Sequence, residues 1–482
     1  MAVAAGSDFS AVVTEDGCLW ELGDNLCDII DTMVPACVGV AENGLDGECL
    51  TMVAAGGYHT MCVTSEGMLF GWGRNEAGQL GQKFVDKYRA PGKSEKNTFG
   101  GAGAVMVACG NVHTVVLTVS QCVWTCGDGS DGQLGHGSSE NLCVFTQVPA
   151  SLFAFAKIVM VACGDKHSVV LDAGATIWAW GENWHGQLGM NDERNRWFPT
   201  YVHQSNLRSL EHAPDEVVLK VFGGHVPVLV AAGGANTAVV TEEGSMWVVG
   251  CGANGRLGLH KKHTNNILLF RRVGTDKTFG GSHVLMAACG QTHTLAVTKK
   301  GEVWSFGRGR EGVLGHHDGK DRMIPTRIHP KHFEHVDIVS VACGARHSAA
   351  VTAEGTLFMW GGAKGLVPAG MHAQLRPALV SPSLFQGVRI GRCYKIPQAH
   401  MLAFAMGMHA RLGAGGDDDK PSGSALAMCG PTAKRACVVA YLCDELARAV
   451  FRAGVVLPPA QTRAFPGLMR LLGGGFMCEA NV

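Results

Sequence analysis

The chain has 482 residues, only 17% of them charged, and a formal net charge of −1, which excludes the global basic field that holds nucleic acid or an anionic membrane. Its 66 glycines are about twice the usual share but lack the collagen period, and only 17 prolines accompany them, so the excess belongs to turns between many short strands. No charged and apolar leader opens the chain and no uncharged apolar run approaches ~20 residues, so the expected compartment is intracellular, cytoplasmic or nuclear, with no membrane partner and with the 18 cysteines reduced.

From the N-terminus one phrase recurs: VAAGSDFS from Val3, VAAGGYHT from Val53, VACGNVHT from Val107, VACGDKHS from Val161, VAAGGANT from Val230, AACGQTHT from Ala287 and VACGARHS from Val341. Its last glycines are Gly6, Gly56, Gly110, Gly164, Gly233, Gly290 and Gly344, spaced by 50, 54, 54, 69, 57 and 54 residues, so an insertion follows the fourth unit. After the phrase come an apolar run, a glycine-centred turn and an aromatic run, as in AVVTEDGCLWELG from Ala11 and LAVTKKGEVWSFG from Leu295. That is the pattern of a β-hairpin. Units two to six add a tight turn, GQLG at Gly78, Gly132 and Gly186, GRLG at Gly255 and GVLG at Gly312; units one and seven lack it. An eroded eighth copy can be placed by spacing at Pro397, with His400, the apolar Met401 to Ala405 and Arg411-Leu412-Gly413 following, and ring closure is expected to use the 385–413 segment.

A repeat of about fifty residues, with several short strands per unit and no helical period between them, predicts an all-β fold, a β-propeller of four-stranded blades arranged radially. Seven blades are expected, and the eroded copy leaves eight open. The propeller is assigned to residues 1–413, a polar, glycine-rich linker to 414–424 and a helical C-terminal tail to 425–482. In the tail, Thr432 can cap an α-helix whose Val438, Leu442, Leu446 and Val450 recur at four-residue steps.

The run V-A-C-G-x-x-H-[ST], an apolar segment and then W-G-x-N-x-x-G-Q-L-G is complete in unit four, from Val161 through His167, Trp180 and Asn183 to Gly189. It resembles the regulator-of-chromosome-condensation repeat, over roughly residues 1 to 413. The resemblance implies a β-propeller. The family it points to includes guanine-nucleotide exchange factors, parts of ubiquitin ligases, plant ultraviolet receptors and scaffolds, so the fold alone does not assign a function.

Most conspicuous residues follow the repeat. Gly127-Asp128-Gly129, Gly250-Cys251-Gly252 and Gly307-Arg308-Gly309 each open a G-x-G-x-x-G match, yet each precedes a repeat turn rather than the helix N-terminus a dinucleotide requires. His59, His113, His167, His293 and His347 share one position, so symmetry spreads them around a ring instead of gathering them on a metal. Cys109, Cys163, Cys289 and Cys343 alternate with Ala5, Ala55 and Ala232, as a packed strand position would. The family's ultraviolet receptors carry Trp in a G-W-R-H-[ST] slot that here reads GYH, NVH, DKH, QTH and ARH, while Trp20, Trp72, Trp124, Trp178, Trp180, Trp247, Trp304 and Trp360 repeat along one strand. No catalytic, cofactor or metal site is expected.

Trp184 and Trp197 fall outside that pattern and flank Arg194 and Arg196, residue types that dominate binding hot spots; these four are the candidate protein-binding site. The long connections 82–104, 190–229 and 259–283 could carry further partner-specific surface. The expected function is that of a protein-binding propeller, a scaffold or regulatory subunit related to ubiquitin-ligase-associated propellers. The alternative is guanine-nucleotide exchange on a small GTPase, which needs no acid, base or nucleophile, only differential binding of the nucleotide-free GTPase. The partner is another protein, a small GTPase or a ubiquitin-pathway component, with no nucleic acid.

Overall fold

Each recurring phrase runs as a short strand into its glycine, turns, and returns as a second strand that is buried along its whole length. A computed structural model describes residues 3–24, 31–38, 45, 48–83, 85, 88–94, 98–202, 221–260, 264–362 and 373–390. In it the strands form seven four-stranded antiparallel sheets, each taking its strands in chain order. Seven blades are present among the described residues; the eroded copy at 397–413, the linker and the tail lie outside them.

The first strands, Val3–Ala5, Leu50–Ala55, Ala104–Cys109, Ile158–Cys163, Pro227–Ala232, Val284–Cys289 and Ile338–Cys343, pack against one another around the centre. The second strands, such as His113–Thr118 and His167–Asp172, are buried at every position because a neighbouring blade covers each face, with an apolar middle between polar ends. The core is accordingly divided into seven apolar clusters, one per seam between blades. At six seams a Phe ahead of the first strand stands edge-on to the aromatic of the third strand: Phe385 on Trp20, Phe99 on Trp124, Phe153 on Trp178, Phe222 on Trp247, Phe279 on Trp304 and Phe333 on Phe358. The fourth strands face outward. Pro199, Pro325 and Pro377 lie in three of them, removing backbone donors that would invite another strand.

The three long connections read as loops each contain an outer strand, Tyr88–Lys93, Arg196–Tyr201 and Ile267–Arg272. These edge segments hide in the sequence because they carry no glycine phrase and are covered on one side only. Cys49 is disulfide-bonded, which corrects the expectation of fully reduced cysteines, whereas eleven other described cysteines are free thiols. Cys49 sits in the connection from blade one to blade two, where its carbonyl accepts from Ser65 N.

The ring closes by substitution of one chain segment for another. In blades two to seven the first strand opens three residues before its Val or Ala, and that opening residue pairs with the last residue of the second strand, as Leu50 pairs with Thr64 and Ile338 with Thr352. In blade one the last residues of the second strand are met by Ile390, bridged to Thr14, with Glu15 N donating to Arg389 O at 2.9 Å. Ile390 lies within the 385–413 segment expected to close the ring, while the copy placed by spacing at Pro397 lies outside the described residues.

A second constraint sits at the centre. A Cβ built on Gly6, Gly56, Gly110, Gly164, Gly233, Gly290 or Gly344 would lie 2.3–2.7 Å from the carbonyl oxygen of the next glycine in that order, and Gly344 meets Gly6. Seven backbones therefore touch in a closed circle that no side chain can enter. Gly164→Ala, whose Cβ would also strike the His167 ring at 2.1 Å, is expected to cost at least ~3 kcal/mol. Ile390→Asp should cost about as much by placing a charge in the last seam. Gly319→Ala, with nothing nearer than 3.8 Å, should change stability by less than ~0.5 kcal/mol. Chemical denaturation of the three variants checks this.

Candidate functional site: the histidine belt and the loop face

The repeat histidines hold blades together. His59 Nε2 lies 3.0 Å from Thr114 Oγ1, His113 Nε2 3.0 Å from Ser168 Oγ, His167 Nε2 3.0 Å from Thr237 Oγ1, His293 Nε2 2.8 Å from Ser348 Oγ and His347 Nε2 2.6 Å from Ser10 Oγ, each across a seam. In four of these pairs the hydroxyl donates its one hydrogen to a backbone carbonyl of the preceding blade's tight turn, at Gln79, Gln133, Gln187 and Val313. The imidazole must then donate from Nε2, which fixes the neutral tautomer. Burial pushes all five histidines down, to about 3 for His59, His167 and His293 and to about 4 for His113 and His347.

Two units depart from the belt, and only one compensates. Phe9 replaces the histidine in blade one, and the buried Glu21 carboxylate accepts from both Thr60 Oγ1 at 2.6 Å and Trp72 Nε1 at 3.2 Å. In blade four the equivalent hydroxyl and indole, Ser168 and Trp180, both reach the Gln133 carbonyl. One side chain in blade one thus replaces a whole turn, which sequence reasoning missed because Glu21 lies in a run that otherwise follows the repeat. In blade five Asn236 takes the histidine position, fully buried, with neither amide atom hydrogen-bonded.

The remaining repeat residues are structural as well. Cys163 Sγ and Cys343 Sγ donate to Ala108 O and Ala288 O of the neighbouring blade, and burial raises both thiols well above their usual range. Trp180 and Trp360 are fully buried, their indoles donating to backbone. Gly127, Gly250 and Gly307, which open the three dinucleotide-like matches, end strands at φ of +108° to +115° and lead into turns.

Because each second strand returns from the turn at the motif glycine, those turns share one face with the loops joining third to fourth strands. This loop face carries the candidate residues. Asn183, fully buried, accepts from Leu188 N at 2.9 Å and donates to Asp192 O at 2.8 Å, and His185 N donates to Gln187 Oε1 at 3.0 Å, so the loop is held on both sides of Trp184. The Trp184 side chain is nevertheless 59% exposed. Arg194 is exposed, while Arg196 is committed to Asp192 Oδ2 and Arg194 O, both at 2.7 Å. Trp197 lies over Gly132 of the preceding blade, where Leu268 and Met323 lie over Gly186 and Gly255 at the equivalent seams. It therefore follows the repeat, contrary to the sequence reading, which had not located the outer strands. Of the four residues, Trp184, Arg194 and Trp197, the last 36% exposed, reach solvent, while Arg196 braces the loop.

Around Trp184 the face is acidic. Asp128, Asp131 and Glu182 surround one ammonium, with Lys166 Nζ 2.8 Å from Asp131 Oδ2 and Asn195 Nδ2 3.3 Å from Asp131 Oδ1. Burial, and then the Asp131 charge, raise the Glu182 carboxyl. On the opposite face Phe155 is 76% exposed at φ +58°, in a connection where other units place Gly101, Gly224 and Gly281 at positive φ.

Five consecutive stretches, 66–117, 121–171, 175–240, 243–297 and 300–351, match the regulator of chromosome condensation (RCC1) repeat, and together they cover more than half of the chain. The chain belongs to the RCC1 repeat family. It is 32% identical over 311 residues to the ultraviolet-B receptor UVR8 of Arabidopsis thaliana, covering 64% of each chain. It is 30% identical over 348 residues to the human regulator of chromosome condensation, 70% of this chain and 76% of that one. It also spans 28% of the human probable ubiquitin-protein ligase HERC6, at 29% identity. Among solved structures, yeast RCC1 (Prp20) bound to Kap60 aligns with a TM-score of 0.61 at 20% identity, covering 79% of this chain and 85% of that one, and shows the same fold.

In this RCC1-type propeller the belt makes stability depend on pH. The histidines are neutral in the fold and protonate near 6.5 when unfolded, so their contribution is complete above pH 6.5 and is lost as pH falls from there toward 3–4. Each should cost about 1.4 kcal/mol per pH unit below 6.5. Denaturant midpoints are expected to fall steeply between pH 6.5 and 5, and less steeply in His167→Asn. Glu21→Leu, which strands two buried donors, should lose ~2–4 kcal/mol, and Glu21→Gln less.

Proposed function

We propose that this propeller is a protein-binding module, a scaffold or regulatory subunit of the cytoplasm or nucleus, that engages its partner through the loop face around Trp184. The observation that carries the reading is a large aromatic, 59% exposed, on a loop fixed by buried hydrogen bonds. Such a side chain presents apolar area with little conformational entropy left to lose, the character of an interface anchor. The acidic groups beside it favour a basic partner surface. The reading assigns the chain no catalytic step, and a ubiquitin-pathway component is the partner class suggested by the ligase relatives. Guanine-nucleotide exchange on a small GTPase is the second reading, supported by the likeness to the human regulator of chromosome condensation over 76% of its length.

Trp184→Ala is expected to weaken partner capture by about tenfold or more without shifting thermal unfolding, whereas Phe155→Ala on the other face should leave capture intact. The reverse pattern would move the interface to the other face. Release of labelled guanine nucleotide from a panel of small GTPases should not accelerate on adding the protein; acceleration with any member would replace the scaffold reading by exchange.

A further inference from the structure

The seam between blades four and five gathers three residues that the repeat does not call for. In other blades the residue before the outer strand caps its own loop: Asn141 Oδ1 accepts from Gly129 N at 3.1 Å, Asn195 Oδ1 from Asn183 N at 2.9 Å and Asp321 Oδ1 from Gly309 N at 2.9 Å. In blade five that residue is Asn266, and its amide turns to the preceding blade. Its Oδ1 lies 3.2 Å from His185 Nδ1, and its Nδ2 donates to Glu193 Oε1 at 2.8 Å and to Trp184 O at 3.4 Å. Both of those acceptors belong to exceptions as well. Glu193 stands where blades three and six carry Ser139 and Gly319, and Trp184 where blades three and five carry Ser130 and Ala253.

Asn266 and Glu193 line a cleft of about 470 Å³ together with Thr264, Asn265 and Leu268. One wall is apolar, the half-buried Leu268 that lies over Gly186. The remaining groups are neutral amides and a hydroxyl, so Glu193 is the one charge among these five. Its carboxylate forms no ion pair among the described residues: Arg196 is committed to Asp192, and Arg194, next in the chain, is exposed. The bond from Asn266 orients the group through one oxygen while the other stays open to a donor.

A fixed carboxylate among neutral oxygens suits a ligand with several donors spread in a fan. A guanidinium offers five N–H groups in one plane and, being weakly hydrated, loses less than an ammonium on entering a cleft with an apolar wall. We propose that this cleft takes an arginine side chain of the protein partner, received by the Glu193 carboxylate. Because Asn266 joins Glu193 to the Trp184 backbone, a partner that covers Trp184 brings its arginine to the cleft within the same contact. The inference rests on the Trp184 loop being the protein-binding surface and names the residue type that surface recognises.

The test uses fluorescence anisotropy of a labelled octa-arginine peptide with the full chain at low salt. Saturable binding is expected, weakened about fivefold by Glu193→Gln. Glu140→Gln, which removes an exposed carboxylate from the corresponding loop of blade three, should leave it unchanged. Glu193 is exposed, so the thermal unfolding of Glu193→Gln should match the parent. Octalysine should bind more weakly and depend less on Glu193. Octa-arginine binding that ignores Glu193→Gln would overturn the proposal, as would octalysine binding of equal strength and equal dependence on Glu193. Failure here with Trp184-dependent capture intact removes the arginine cleft alone; loss of that capture with Glu193-dependent peptide binding intact removes the Trp184 reading.

Discussion

The structure depends on seven backbones touching at one circle. Where each motif glycine faces the carbonyl of the next, the innermost strands approach more closely than any Cβ permits. That approach sets how near the blades stand, and everything farther out inherits it: hydrogen bonds across the seams, aromatic pairs over the third strands, and tight turns resting on the next blade's outer strand. Because the circle closes from Gly344 to Gly6, seven units satisfy it.

A ring built on one contact has no hierarchy among its seams, which is why the belt is informative where it fails. Blade one lacks both the histidine and the tight turn, and Glu21 supplies from a side chain the acceptor that the turn carbonyl provides elsewhere. Blade five has Asn236 buried at the histidine position, and Arg256 stands at the same seam, donating to Gln291 O of the next blade with Asp165 as its opposing charge. Two departures at one junction set it apart from the other seams. Closure between blades seven and one is made by noncovalent register, with Ile390 bridged to Thr14 of blade one. The last connection therefore serves blade one as the others serve their own blades.

Function on such a scaffold belongs to what the symmetry does not require. Repetition accounts for nearly every histidine, tryptophan and cysteine that a motif search would select. What it leaves is Trp184, a large apolar ring at a position where Ser130 and Ala253 are small and Glu76 and Arg310 are charged. It lies on the face of central turns and tight loops, where backbone hydrogen bonds hold the loop still and leave the side chain to a partner.

By itself the sequence determined the propeller, its blade unit and the structural role of the repeat residues, because a strand buried between two blades must be apolar in its middle and keep its polar ends paired, and a backbone contact must be glycine. Both requirements recur about every fifty residues. The outer strands stayed hidden: Arg196–Tyr201 and Tyr88–Lys93 are covered on one side and carry no fixed residue. For that reason Trp197 read as an irregular aromatic although it packs on Gly132. Only the tertiary structure could place Trp197 on Gly132, give Glu21 its two donors or turn the Arg256 guanidinium onto Gln291 O of the next blade. Each of these is a relation across a seam between residues distant in the chain, and no local pattern records what the neighbouring blade presents.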